Sequence, residues 1–276
     1  MNLLHKNTNV HFTSIGKGNA VVLIHGFLEN SAMWNETAKV LSKRNRIICI
    51  DLLGHGKTGN LGYIHSMEDQ AQMVKAVLNH LRLRKYSLIG HSMGGYMALS
   101  FAKLFPESVK GLCLMNSTAL PDSEEKKLSR DRAIKALKKN HKTFVRVAIP
   151  MLFSEKNREI YLKEIEQITQ EALQLSPQGI IAALEGMKVR KDQVSIYKTV
   201  NFPIQMIIGK QDPALDYDSL ISQTKNTNVK VIEFPDGHMS HIENKNELIE
   251  ALTSFIKSPL THKGGTNIGT AKILKL

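Results

Sequence analysis

Three observations predict an α/β fold built on a mostly parallel sheet. Short apolar runs rich in Val and Ile alternate with segments of helical periodicity, first up to residue 115 and again from residue 203. Between them, residues 117–200 read as helical, with prolines at 121, 150 and 177 and no convincing strand. The composition of the 276-residue chain, 42% apolar and 22% charged, is ordinary for a globular protein and sufficient for one large core. It excludes a predominantly disordered or fibrous chain.

Taken in order, residues 10–14 form a polar candidate edge strand, joined to the next by a turn at Gly16-Lys17-Gly18. Residues 21–24, 47–50, 87–89, 109–115, 204–208 and 229–234 are the β-branched runs expected inside the sheet. Asn30 or Ser31 can start a helix buried through Trp34, Ala38 and Leu41. Ser66, followed by Glu68 and Asp69, reads as the cap of a helix whose inner face carries Ala71, Val74, Leu78 and Leu81. A third helix runs from Ser92 to Pro106. The economical arrangement is a core of residues 1–116 and 201–257, interrupted by a helical cap insertion at 117–200. Residues 258–276, basic and without periodicity, are expected to form a flexible tail.

The formal net charge is +12, from 37 Lys and Arg against 25 Asp and Glu. Over residues 121–146 there are nine basic and four acidic side chains, but Phe144 is the one aromatic among them. A nucleic-acid groove interleaves aromatics with its charge, so no nucleic-acid partner is expected. The periodicity puts Leu128, Ile134, Leu137 and Phe144 on an inward stripe and leaves Lys127, Arg130, Lys135, Lys138 and Lys142 on a solvated face. The alternative sets Arg130, Arg132 or Arg146 in the cleft as a clamp for a substrate carboxylate. No apolar run reaches the ~18–20 residues of a membrane span. The N-terminus lacks the apolar segment of a signal peptide, and Cys49 and Cys113 sit in apolar runs as core thiols. A reduced, cytoplasmic protein is expected.

The sharpest chemical signal is Gly90-His91-Ser92-Met93-Gly94-Gly95, a G-x-S-x-G pattern between a strand and an apolar helix. Such a turn needs small neighbours around the serine, whose hydroxyl then projects at a helix N-terminus. The second is His25-Gly26-Phe27 at a strand end. An attacking serine needs two N–H donors for the oxyanion, expected from Met93 and Phe27, while the His25 side chain braces the loop. Asp212, just past the strand at 204–208, is the favoured carboxylate, with Asp216 behind it. Its competing role is an N-cap before Pro213, unless Asp216 or Asp218 caps that helix. Asp51 reads as a brace for its own glycine loop. For the base, Ser240-His241-Ile242-Glu243 reads as a capping box that puts His241 on the last helix and leaves His238 in the preceding loop, favouring His238. His55, His91 and His141 lack a comparable context.

With these motifs in order, the chain resembles the α/β-hydrolase superfamily. The matching residues are His25-Gly26-Phe27, Asp51-Leu52-Leu53-Gly54-His55-Gly56, Gly90-His91-Ser92-Met93-Gly94, Gly209-Lys210-Gln211-Asp212 and Gly237-His238. The resemblance implies the α/β-hydrolase fold, a mostly parallel eight-stranded sheet with helices on both faces and an inserted helical cap. It also implies a Ser92–His238–Asp212 triad acting on carboxylic esters or related acyl substrates, with a small-molecule acyl substrate as partner and no metal or cofactor. Phe27, Phe144, Met151 and Phe153 are candidates for the acyl pocket. Three other readings use the same framework. They are a menaquinone-pathway succinyl-hydroxycyclohexadiene-carboxylate synthase-like lyase or C–C hydrolase, a perhydrolase-type haloperoxidase, and a non-catalytic hydrolase-fold binding module. Oligomeric state is left open.

Overall fold

The computed structural model describes residues 1–257. The expected flexible tail, residues 258–276, lies outside them. Eight strands form one sheet: β1 (Asn2–His5), β2 (Thr8–Ile15), β3 (Asn19–Ile24), β4 (Asn45–Ile50), β5 (Tyr86–His91), β6 (Val109–Met115), β7 (Ile204–Gly209) and β8 (Lys230–Phe234). Their spatial order is β1-β2-β4-β3-β5-β6-β7-β8. The pairs β1–β2 and β2–β4 are antiparallel and every later pair is parallel.

The parallel strands are buried on both faces, which is why they read as continuous apolar runs. Val22, Ile24, Ile48, Ile50, Leu88 and Leu112 enter one core layer; Val21, Leu23, Ile47, Cys49, Ile89 and Cys113 enter the other. The second layer is closed by Trp34, by α1 (Asn35–Leu41) and by the C-terminal helix through Leu248, Leu252 and Phe255. The first layer is closed by α2 (Met67–His80) and α3 (Met93–Leu104). Ser66 caps α2 by accepting from Asp69 N–H, as its sequence proposes. Cys49 and Cys113 are free, buried thiols.

Residues 10–14 are corrected from edge strand to second strand. The edge is β1, turned into β2 through Lys6 and Asn7, both at positive φ (45° and 64°). That is the backbone of a tight hairpin turn, here without glycine. β1 alternates exposed and half-buried residues, so it has no apolar signature. Nor does the glycine turn close a hairpin, because β4 inserts between β2 and β3.

Between β6 and β7 the chain forms α4 (Glu124–Lys139), α5 (His141–Ala148), α6 (Asn157–Ile160), α7 (Leu162–Ala172), α8 (Pro177–Lys188) and α9 (Ile196–Thr199). After β7 come α10 (Tyr217–Thr224), α11 (Ser240–Glu243) and α12 (Lys245–Lys257). On α4, Ile134 and Leu137 are buried, but Leu128 is 56% exposed and leaves the expected inward stripe. Arg130 leaves the solvated face for the interior, where it and Arg190 both pair with the buried carboxylate of Asp122. Two guanidinium groups compensate that desolvated charge, and Arg190 also stacks on the Tyr96 ring at 4.1 Å. Lys135, Lys138 and Lys142 are exposed. No helix among the described residues is long and apolar enough to cross a membrane.

Helix α8 meets the loop between β4 and α2 at backbone distance. A Cβ on Gly179 would stand 2.5 Å from the Gly54 carbonyl oxygen, and one on Gly186 would run into the carbonyl of His65. Only glycine fits both contacts. Gly186→Ala is therefore expected to destabilise by about 1–3 kcal/mol, the usual cost of overpacking, and to lower Tm by several degrees in thermal melts. If the contact could relax freely, the preference of helices for alanine, about 1 kcal/mol, would raise Tm instead.

Candidate active site

Strand order determines where the chemistry can gather. The chain leaves β3 to add β4 on one side and returns to add β5 on the other, so the chain direction across the sheet reverses between β3 and β5. Loops leaving the carboxyl ends of two such strands diverge and open a crevice. Here they carry His25-Gly26-Phe27 and His91-Ser92.

Ser92 links β5 directly to α3 at φ 49°, ψ −114°, a strained backbone for a residue with a side chain. The strain is held from several sides. Ser92 N–H donates to Met115 O at 2.9 Å, and its carbonyl accepts from Gly95 N–H and from the Ser117 hydroxyl, each at 2.9 Å. A Cβ on Gly94 would lie 2.6 Å from the carbonyl oxygens of Ile24 and His25, so glycine lets α3 close on the end of β3. Ser92 itself is half-buried at the N-terminus of α3, where Met93, the first helical residue, has no intrahelical acceptor for its N–H.

The structure brings Asp212 and His238 together, with His238 Nδ1 2.7 Å from Asp212 Oδ2. Burial pushes the Asp212 carboxyl up, but the His238 imidazole and hydrogen bonds from His238, Ala214 and Asn116 outweigh it and hold it below the usual range. An ionised carboxylate only accepts, so the proton sits on His238 Nδ1 and the Nε2 lone pair is left for a hydroxyl. The competing cap role is partly real. Asp212 Oδ1 accepts from Ala214 and Leu215 N–H at 2.8 and 3.1 Å, while Oδ2 serves His238. Asp216 caps α10 through Ser219 N–H.

The capping box at Ser240 is corrected. Met239, not Ser240, is the N-cap of α11, and the Ser240 hydroxyl donates to Asn116 Oδ1 at 2.7 Å. Glu243 does reach back to Met239 N–H, but its other oxygen accepts from Ser154 N–H, Ser154 Oγ and Asn157 Nδ2. His238 stays in the loop, with its N–H donating to Leu152 O at 3.0 Å.

On the β3 side, His25 braces its loop as a neutral imidazole: Nδ1 donates to Gly26 O at 2.7 Å and Nε2 accepts from Leu52 N–H at 2.9 Å. Gly26 N–H donates to Glu29 and Leu28 N–H to His55 Nε2, so the N–H groups on either side of Phe27 are taken by side chains. Asp51 accepts from Ser31 and Lys57 N–H and supports its own loop. Phe27 and Phe144 are half-buried, Met151 is 54% exposed, and Phe153 is wholly inside, beside Tyr161.

Sequence reasoning passed over Glu29 and Asn116 and set His91 aside as lacking context. Asn116, at φ 47°, donates to Asp212 Oδ2 and to Gly237 O, both at 3.1 Å. Polar residues at the ends of apolar strands were the available signal, but their partners lie far away in the chain. Glu29, His91 and His241 place ligand-type atoms within 4.8 Å of one another. Zinc–nitrogen and zinc–oxygen bonds of about 2.0–2.1 Å in a tetrahedron hold ligand atoms more than about 3 Å apart. The 2.7 Å between His91 Nδ1 and Glu29 Oε2 is a hydrogen-bond distance and suits a shared proton, not a metal.

A profile of the alpha/beta hydrolase fold matches residues 19–245, and the chain belongs to that family. Human monoacylglycerol lipase ABHD6 is similar to it, 25% identical over 87% of this chain and 75% of that protein. Among solved structures, a thermophilic esterase from Thermogutta terrifontis superposes with a TM-score of 0.85 at 27% identity, covering 93% of this chain and 97% of that one. An enol-lactonase from Burkholderia xenovorans LB400 shares the fold, with a TM-score of 0.85 at 20% identity over 94% of this chain and all of that one.

Several histidines here are stored neutral. Burial holds His55 down to about 3 and His241 down to about 4, the latter despite Glu29. Both take up protons more readily once unfolded, so their neutral burial favours the native state above pH 6.5 and loses ground as pH falls toward 4. Each contributes up to about 1.4 kcal/mol of destabilisation per pH unit in that window. Tm should therefore fall steadily from pH 6.5 to 4.5, and His55→Gln should flatten the fall. A Tm unchanged across that interval contradicts the buried neutral state.

Proposed function

We propose that the protein is a serine hydrolase of carboxylic esters or related acyl substrates, working through Ser92, His238 and Asp212 and an acyl-enzyme. The observation that supports this reading is the 2.7 Å Asp212–His238 contact, which leaves the Nε2 lone pair as an acceptor on a loop whose main chain is bonded to His91, the residue before Ser92. The lipase and esterase names of the relatives agree with it. In the proposed cycle His238 Nε2 takes the Ser92 hydroxyl proton as Oγ bonds to the substrate carbonyl carbon. Phe27 and Met93 N–H groups donate to the oxyanion. Its collapse breaks the ester C–O bond, and His238 returns the proton to the leaving alcohol. Water, activated by the same histidine, then releases the acid.

Residues 117–200 act in this reading as a cap. Leu152 O receives the N–H of His238, and Ser154 and Asn157 bond Glu243, so the helical segment meets the base loop directly. Phe27 and Phe144 would face the acyl chain, with Met151 at the rim and Phe153 behind. The lyase-like alternative wants an arginine clamp for a carboxylate. Arg130 is engaged with Asp122, and Arg132 and Arg146 are exposed, which weighs against it. A neutral p-nitrophenyl ester should then be turned over at least as well as its carboxylate-bearing analogue. A tenfold preference for the charged analogue, removed by one Arg→Ala change, would favour the alternative.

Ser92→Ala should cost on the order of 10⁴–10⁶ in ester turnover with Tm nearly unchanged, and should lose labelling by a fluorophosphonate probe. His238→Ala should cost a similar factor, and the double variant hardly more, because triad members act as one unit. Full activity in Ser92→Ala, or probe labelling of a different serine, removes Ser92 from this role.

A further inference from the structure

Behind the proposed triad lies a buried charged group that the reaction does not use. His91 and Glu29 are 1% and 3% exposed at their side chains, and His91 Nδ1 stands 2.7 Å from Glu29 Oε2. The other ring nitrogen, Nε2, is 2.9 Å from the main-chain oxygen of His238. A carbonyl offers no proton, so Nε2 must carry one. Glu29 Oε2 also accepts Gly26 N–H at 2.7 Å. Two short contacts to acceptors are satisfied together when both ring nitrogens are donors, that is, when His91 is an imidazolium and Glu29 a carboxylate.

The surroundings agree. Burial works against charge on His91, but Glu29, the His238 carbonyl and Asp212 outweigh it and raise its affinity for the proton. Burial likewise opposes charge on Glu29, and His91, by its charge and its hydrogen bond, pulls it down to about 2. The remaining titratable neighbours do not compete. His25 is neutral by its hydrogen bonds, and His241, 3.6 Å from the second Glu29 oxygen, is held neutral by burial.

We propose that Glu29 and His91 are positioning residues: a proton held between them ties the main chain of His238 and the main chain of Gly26 to the residue preceding Ser92, setting the base and one oxyanion donor on a single frame. The inference rests on the triad reading for its effect on turnover, but the protonation of His91 does not. His238 is then fixed at three points: its side chain by Asp212, its N–H by Leu152 O and its carbonyl by His91. Gly26 is fixed at its N–H by Glu29 and at its carbonyl by His25. Loss of the pair should leave substrate binding largely intact, because neither side chain reaches the crevice surface, and should lower the rate at which bound substrate reacts.

The test has two independent readouts on the full chain. In histidine-selective ¹⁵N spectra, with the His91 signals identified by their loss in His91→Gln, both ring nitrogens of wild-type His91 should be protonated at pH 7.5. A neutral tautomer at that pH overturns the proposal, whatever the protein hydrolyses. Glu29→Gln keeps an oxygen acceptor and removes the charge. It should lower kcat for a neutral p-nitrophenyl ester by tenfold or more, with KM changed less than twofold. It should also shift the alkaline fall of kcat by at least one unit toward lower pH, as the imidazolium loses its counter-charge. A merely structural role would not move that limb, so an unchanged kcat and an unchanged limb also overturn the proposal. Failure of the triad reading is recognised separately, by the absence of fluorophosphonate labelling at Ser92, and the nitrogen spectra then decide the pair alone.

Discussion

The turn that carries Ser92 from β5 into α3 constrains the rest of the structure. A residue with a side chain is held at positive φ there, and the backbone around it has no slack: Met115 O of β6 accepts its N–H, the Ser117 hydroxyl donates to its carbonyl, and the end of β3 presses on Gly94. Such strain persists only where the surroundings over-determine it. Three neighbouring strands do so here, and each must end at the same level of the sheet. The register that pairs Ile24 with Gly90 and His91 with Met115 achieves this. The loops that leave those strand ends are therefore delivered to one place by the sheet itself.

What the sheet delivers, a few polar side chains lock. Glu29 joins Gly26 to His91, Asn116 joins Asp212, Gly237 and Ser240, and Glu243 joins Met239 to Ser154 and Asn157. Each node uses several acceptor or donor positions of one side chain, which is how a polar group tolerates burial. The proposed base consequently moves only if several loops move with it. Rigidity at the proposed reacting groups thus comes from side chains outside the proposed reaction.

The parallel strands were legible because burial on both faces forces short apolar runs, and their β-branched content separates them from buried helix segments. β1 was not, since a short edge strand with solvent on one side has no such run, and its turn uses Lys6 and Asn7 in place of glycine. The turn at Ser92 and the places of Asp212 and His238 just past strand ends were legible because each follows an apolar strand with a strong local pattern. The pattern at Ser240 was local too, but a tertiary partner, Asn116, took the hydroxyl that a cap would use. Arg130 and Leu128 exchanged their expected places for a related reason: Asp122 supplies a buried counter-charge that helical periodicity cannot register. Glu29 and His91 are 62 residues apart, and His91 and His238 are 147 apart, so no window of sequence contains their relationship.

The backbone-to-backbone seat of α8 against Gly54 divides residues 117–200 into two unequal parts. One part, α4 and α8 with the Asp122–Arg190 pair, is seated on the loop between β4 and α2 and can vary little without loss of the seat. The other, from α5 to α7, is tied to the loop after β8 by Leu152 O, which accepts His238 N–H, and to Glu243 by Ser154 and Asn157, and it displays Val147, Met151, Ile160 and Leu162 to solvent. Inherited change should collect in that second part. A library randomised there would explore new surfaces on an unaltered chassis, while the same diversity placed on α8 would mostly be lost to misfolding.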